Sequence, residues 1–266
     1  MDSLESERLL EELSALRQRI EAIERSRWWR LHPRFLLREP SPNPSSSLPR
    51  EFDASVLAHI REGAQTSAAI VAPVVQELVQ ARSVVDLGGG EGWWAHAFAT
   101  LGARAVSVDS APLERPAPDV RHIRHDLGEP FSSLERFDLA LCLEVAEHVD
   151  ANASDGLVAS LCSAAPVVLF SAAVPGQGGD NHVNEQWPEF WVERFERCGY
   201  RCSGALRWRF WSDDRIEPWY RQNLLFATEA PDRFGELFAT PTAEPWPVVH
   251  PELFTRARTT AALERR

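Results

Sequence analysis

From residue 83 onward the chain alternates short apolar runs with stretches of helical periodicity. Residues 83–87, 105–108, 120–125, 137–143 and 167–172 read as strands, and 71–81, 93–101, 154–164 and 189–198 as helices. Strands that are apolar on both faces and separated by helices of this length belong to a parallel sheet covered on each side. Two later β-type runs, 205–211 and 223–227, predict an antiparallel hairpin at the sheet edge. The expected fold class is therefore α/β: a seven-stranded, mostly parallel sheet with helices on both faces and an antiparallel edge hairpin.

The N-terminal part carries a different period. Leu9, Leu13, Leu16, Ile20 and Ile23 are spaced 4, 3, 4, 3, which is a heptad seam over residues 4–26. Three heptads are marginal alone in water, so the seam predicts a homo-oligomer or docking on a partner; a single amphipathic helix lying on its own domain is the alternative. A stretch rich in Pro and Ser follows and cannot build a core. The expected organisation is a coiled-coil-like helix at 1–28, a linker at 29–50, the sheet domain at 51–230, and a C-terminal extension packed on it at 231–266.

Composition narrows the partners. Asp and Glu number 39 against 28 Lys and Arg, a formal charge of -11, which disfavours nucleic acid because phosphates need a positive field. No apolar stretch is long enough to span a bilayer, and the acidic N-terminus lacks the apolar segment of a signal peptide, so a cytoplasmic location is expected. The cysteines, Cys142, Cys162, Cys198 and Cys202, form neither a metal-type pairing nor a disulfide framework.

The chemistry concentrates at strand ends. "SVVDLGGGEGWWAHAF" passes from strand to helix through Gly88, Gly89, Gly90 and Gly92, although the chain has only 14 glycines. Glycines there let backbone approach a ligand, and the following helix offers free N–H groups. No Lys-Ser/Thr pair follows, which excludes a phosphate-binding loop of that kind. Asp86, directly before the loop, repels a pyrophosphate and attracts an ammonium group. Asp109 ends the next strand, where a carboxylate can accept both hydrogen bonds of a ribose diol. Asp126, followed by Leu127, stands after the third strand, suited to an exocyclic adenine amine. Three acids at three successive strand ends thus suit an amino-acid-bearing nucleoside with no phosphate: an ammonium, a ribose and an adenine.

"VVDLGGGEG", "AVSVD", "RHDLGEPF" and "FDLALCLEVAEHV" together resemble the ordered motifs of class I S-adenosylmethionine-dependent methyltransferases, over roughly residues 80–175. The resemblance implies a Rossmann-like fold and assigns cofactor contacts to Asp86, Gly88, Gly90, Gly92, Asp109, Asp126, Leu127 and Glu144. A dehydrogenase of similar fold is the nearest rival, but its G-x-G-x-x-G spacing does not open this loop.

Two stretches offer groups for the transfer step. "LEVAEHV" brings Glu144, Glu147 and His148 after the fourth strand, and "VPGQGGDNHVNEQWPEFW" brings His182, Glu185, Trp187 and Trp191 after the fifth. The E-x-x-E-H cluster with a later histidine resembles the metal site of small-RNA 2′-O-methyltransferases and a similar cluster in ubiquinone-pathway O-methyltransferases. It implies Glu144, Glu147, His148 and His182 as ligands of Mg²⁺ or Mn²⁺, which would lower a hydroxyl's pKa. Related enzymes carry the same string without a metal; His182 is then the general base, beside Glu144. Glu185, Trp187, Trp191 and Trp219 are the candidate acceptor contacts, with core packing the alternative for a tryptophan.

"HVNEQWPEFWVERFERCGY" and "EPWYRQNLLFA" resemble a bacterial methyltransferase subgroup of glycan and glycosylated natural-product pathways. That similarity implies a small-molecule or glycan acceptor methylated on a sugar hydroxyl. A non-sugar metabolite is the alternative substrate, and an idle methyltransferase-fold scaffold acting through its heptad helix is the alternative role.

Overall fold

The computed structural model describes residues 54–110, 116–133, 135–240 and 243–255. Residues 1–50 and 51–266 separate into two units; the heptad helix and linker expected in the first lie outside the described residues. The described part begins with α1 (Ala54–Val79), then β1 (Ser83–Leu87), α2 (Trp93–Thr100), β2 (Arg104–Asp109), β3 (Val120–Arg124) and β4 (Leu139–Leu143). It continues with α3 (Ser154–Ala164), β5 (Val167–Ser171), α4 (Pro188–Arg197), β6 (Arg201–Ser203), α5 (Ala205–Phe210), α6 (Pro218–Asn223), β7 (Leu225–Thr228) and α7 (Gly235–Phe238). No helix among these residues is long and apolar enough to cross a membrane.

The seven strands lie in the order β3-β2-β1-β4-β5-β7-β6. All neighbours are parallel except around β7, which runs antiparallel to both β5 and β6. This is the expected Rossmann-like mixed sheet with an antiparallel edge. The order of strands reverses between β1 and β4, so a crevice opens at their carboxyl ends, where folds of this topology bind ligands. Because β7 runs backwards, its entry, at Asn223 and Leu224, also faces that edge.

Side-chain alternation along each strand divides the core into two layers. Val85, Leu87, Ala140, Cys142, Val168 and Phe170 pack under α3 and α4. Val84, Leu139, Leu141, Leu169 and Phe226 pack under α1, α2 and α5. Every residue of β4 and β5 is buried between the two layers, which is why β4 and residues 167–170 of β5 read as unbroken apolar runs.

One element differs in kind from the expectation. The run 205–211 is not a strand: Ala205–Phe210 is helical. Its apolar and basic residues alternate, imitating a strand, but Leu206 and Phe210, four apart, are the pair that enters the core. Helical spacing satisfies that layer, and the edge strand is instead the three-residue β6. The antiparallel edge pair is thus β6 and β7, joined through two short helices rather than a tight hairpin.

Candidate functional site

The glycine loop leaves β1 at the crevice. Gly88 and Gly90 have φ of +83° and +52°, a region open to glycine at little cost. A Cβ on Gly88 would stand 2.4 Å from Val145 Cγ1, whereas at Gly90 nothing lies within 4 Å. The loop therefore packs closely on one side and leaves bare backbone open on the other.

The three strand-end aspartates occupy different depths. Asp86 lies not at the mouth of the loop but beneath it, 2% exposed, because its side chain points under Gly89, where a Cβ would meet Asp86 Oδ2 at 2.5 Å. Burial, then the negative charge of Asp109, pushes the Asp86 carboxyl up to about 7, against a hydrogen bond from the Ala95 backbone. Asp86 Oδ2 has no hydrogen-bond partner. Asp109 is half-buried, and its Oδ2 accepts the Gly90 N–H at 2.8 Å. Asp126 is exposed and accepts the Gly128 N–H at 2.9 Å. Leu127 turns into the core and lines a cleft of about 450 Å³ with Gly128, Asp150 and Asn152. An orphaned buried carboxylate oxygen beneath open glycine backbone fits a cationic, phosphate-free nucleoside: a positive group nearby would restore the ionised form of Asp86.

A second cluster caps β4 and β5. Glu144 follows β4 at φ +54°, a strained setting for a side chain that non-glycine residues occupy mostly at functional sites. Its N–H donates to the carbonyl and to Oγ of Ser171, both at 3.0 Å. Its carboxylate accepts from Asn223 Nδ2 and from Gln177 Nε2, again at 3.0 Å each. Glu147 is fully buried, and neither of its carboxyl oxygens has a partner of good geometry. Burial and the adjacent Glu144 push Glu147 up to about 9, so a cation bound there would displace a proton from it.

The backbone of Glu147 recruits the loop after β5. Its carbonyl accepts from Val183 at 2.8 Å and Asn184 at 3.0 Å, which brings His182 against His148 with ring centroids 4.9 Å apart. Glu147, His148 and His182 each offer a ligand atom, all within 4.8 Å of one another. Burial and the neighbouring His182 hold His148 below its ordinary pKa, as metal ligation requires. The oxygen-and-two-imidazole set, with an unsatisfied buried carboxyl, fits a divalent cation and suits Mn²⁺ better than Mg²⁺. Glu144 stands outside that group, its two oxygens held by amides.

His182 is oriented from behind. Its Nδ1 meets Glu185 Oε1 at 2.9 Å, and a carboxylate can only accept, so Nδ1 carries the proton and Nε2 is left basic. Glu185 also accepts the N–H groups of Gly176 at 2.7 Å and Gly178 at 2.8 Å. Burial pushes its pKa up, but the hydrogen bonds from His182 and the two glycines outweigh it and hold Glu185 low. Glu185 is thus turned inward onto His182 rather than outward to an acceptor. Trp191 is also not an acceptor contact: it is 1% exposed and packs on Phe170 and Phe190 in the core. Trp187 is half-buried before α4, and Trp219 is half-buried against the second core layer. Gln177, Gln222 and Asn223 were not anticipated. The signal was present in "RQN", consecutive polar residues immediately before an apolar strand at the crevice edge.

A family model for a methyltransferase domain matches residues 18–213. A ubiquinone biosynthesis O-methyltransferase of Methylobacterium sp. (strain 4-46) is 33% identical over 111 residues, which cover 38% of this chain and 44% of that protein. The match thus spans less than half the length of that curated relative. Among solved structures, the fold is similar to CalS10, a SAM-bound amino pentose methyltransferase from Micromonospora echinaspora involved in calicheamicin biosynthesis. The TM-score is 0.50 and the identity 17%, covering 70% of this chain and 99% of that one. It is similar also to KedS8, a sugar N-methyltransferase from Streptoalloteichus sp. ATCC 53650, with TM-score 0.51 and 16% identity over 72% of this chain and 99% of that one.

Proposed function

The chain belongs to the methyltransferase-domain family, and on that premise we propose that it methylates a sugar hydroxyl, with S-adenosylmethionine as donor. The acceptor sugar stands free, on a glycan, on a nucleotide or on a glycosylated natural product. The observation that carries the donor is the orphaned Asp86 oxygen under Gly89, next to the open side of Gly90, whose N–H is held by Asp109. In this reading Asp86 answers the positive charge of the cofactor, Asp109 takes the ribose diol, Asp126 and Leu127 border the adenine, and Glu144 faces the amino-acid end. When bound, the donor supplies an electrophilic methyl group on a sulfonium.

This chain's residues do the remaining work. The loop 174–187 is tied to the Glu147 carbonyl through Val183 and Asn184, which brings His182 to the β4 end, where alignment and exclusion of water are needed. Nε2 of His182 takes the hydroxyl proton as the carbon–sulfur bond breaks and the carbon–oxygen bond forms, and Glu185 steadies the resulting imidazolium. In the alternative with a divalent cation held by Glu147, His148 and His182, the cation would supply a Lewis acid for vicinal oxygens, a pattern that suits a sugar diol, and His182 would serve as a ligand rather than as the base. A phenolic or other small metabolite is the second reading, favoured by the identity with the ubiquinone biosynthesis O-methyltransferase.

Isothermal titration with S-adenosylhomocysteine, repeated with Mn²⁺ and with chelator, tests donor and cation together. Binding in the micromolar range, tightened by Mn²⁺, is expected; no uptake at millimolar nucleoside overturns the proposal. Transfer of labelled methyl to phenols but to no sugar or glycoside would replace the sugar reading by the second one.

A further inference from the structure

Helix α6 ends in three polar residues, Arg221, Gln222 and Asn223, which are 2%, 1% and 6% exposed. Two of them belong to a network of amides that terminates on Glu144. Asn223 Nδ2 donates to Glu144 Oε1 at 3.0 Å and to Gln177 Oε1 at 2.9 Å. Gln222 Nε2 donates to Gln177 Oε1 at 3.0 Å and to Asn223 Oδ1 at 2.9 Å. Gln177 Nε2 donates to Glu144 Oε2 at 3.0 Å.

The polarity of this network is determined from its ends. The backbone N–H of His250 points at Gln222 Oε1, 2.7 Å away, and an N–H can only donate. The atom it meets must therefore be the Gln222 carbonyl oxygen, which turns the Gln222 NH₂ toward Gln177 and Asn223. Their oxygens are then occupied as acceptors, and their NH₂ groups are left to face the carboxylate, which only accepts. Each amide has one productive orientation, and all of them deliver donors to Glu144. A buried, fully satisfied polar network of this sort fixes geometry, and Glu144 is the residue whose backbone is strained at φ +54°.

We propose that Asn223 and Gln177 are positioning residues that clamp the Glu144 carboxylate in the cofactor crevice, with Gln222 and the His250 backbone setting their orientation. The proposal rests on the reading of Glu144 as a cofactor contact. It gives the "RQN" string a role besides introducing β7. It also gives the segment around His250 a part in the site without touching a ligand.

A double-mutant cycle on S-adenosylhomocysteine affinity, measured by titration calorimetry on the full chain, separates positioning from general stability. Glu144→Gln and Asn223→Ala are each expected to weaken binding by about tenfold, as expected for a hydrogen bond to a charged group. The double variant is expected to be no weaker than Glu144→Gln alone, since the clamp acts only through that carboxylate. Gln177→Ala, on the half-buried loop, provides a second cycle should Asn223→Ala fail to fold, with the same expectation. Additive losses in the cycle overturn the proposal, because the amide would then act independently of Glu144. Unchanged affinity in Glu144→Gln overturns both the clamp and the cofactor role of that carboxylate. A loss in Glu144→Gln with none in either amide variant overturns the clamp alone.

Discussion

Asp86 and Glu147 are carboxyl groups that the fold buries without a partner for at least one oxygen, and a buried acid of that kind costs stability when it ionises. For Asp86 the folded-state value of about 7 stands above the ordinary 3.8. Its contribution favours the folded state fully below pH 4 and is lost as pH rises toward 7, in total roughly 4 kcal/mol at 1.36 kcal/mol per unit. Asp86→Asn removes the ionisation, so its denaturation midpoint is expected to exceed that of the wild type at pH 8, with the difference fading below pH 4. Its affinity for S-adenosylhomocysteine should fall in return; a variant neither stabilised at pH 8 nor weakened in binding would refute this account of the loop. His182 obeys a different logic, because it sits at the lip of the site and not in the core. His182→Ala should reduce methyl transfer by 10²-fold or more, the usual share of a general base, while nucleoside affinity by titration stays within about twofold. Near-normal turnover would remove His182 from the mechanism.

At the scale of elements, what was legible in the sequence follows from how local the cause is. The five parallel strands and the helices at 93–101, 154–164 and 189–198 were read within one or two residues of their bounds, because each strand carries apolar residues, most of them β-branched in β2 and β3, and each helix an apolar face. The 205–211 run failed, because seven residues with apolar positions at both period 2 and period 4 satisfy either pattern, and only the neighbouring core layer decides. The site divides in the same way. The strand-end aspartates announce themselves by position, whereas the inward turn of Glu185 depends on how its own loop folds back on Gly176, Gly178 and His182, and the amides on Glu144 depend on contacts between distant segments. Trp191 illustrates the cost of reading composition alone: Trp191→Ala should destabilise the protein by about 3–5 kcal/mol in denaturant titration, as for other buried aromatic truncations, without changing nucleoside affinity. Gly90→Ala tests the loop from the opposite side. No atom obstructs the new methyl, so the penalty comes from forcing alanine to φ +52°, about 1–2 kcal/mol, together with a Cβ intruding on the crevice. Calorimetry is expected to show affinity lowered by tenfold or more; unaltered binding would mean that no ligand approaches that backbone.

For the whole molecule, two units of unlike character share one chain, and their division predicts separable behaviour. The sheet domain holds every group assigned to cofactor and acceptor, all of them between Asp86 and Trp219. The heptad positions Leu9, Leu13, Leu16, Ile20 and Ile23, by contrast, gain nothing as a lone helix in water, since three heptads fall near the limit of isolated helix stability. Their apolar seam is expected to be buried between copies of the chain, each of which carries a formal charge of -11. Like-charged chains repel over about 8–10 Å at moderate salt, so self-association should strengthen as ionic strength rises, the reverse of a nucleic-acid complex. Light scattering on the full chain is expected to give a multiple of the 29.9 kDa chain mass. A chain carrying Leu13→Asp and Leu16→Asp should fall to a single copy while binding S-adenosylhomocysteine unchanged. A full chain that is monomeric at high salt would refute self-association and leave the seam to a different partner; loss of nucleoside binding in the double variant would show that the two units are not independent.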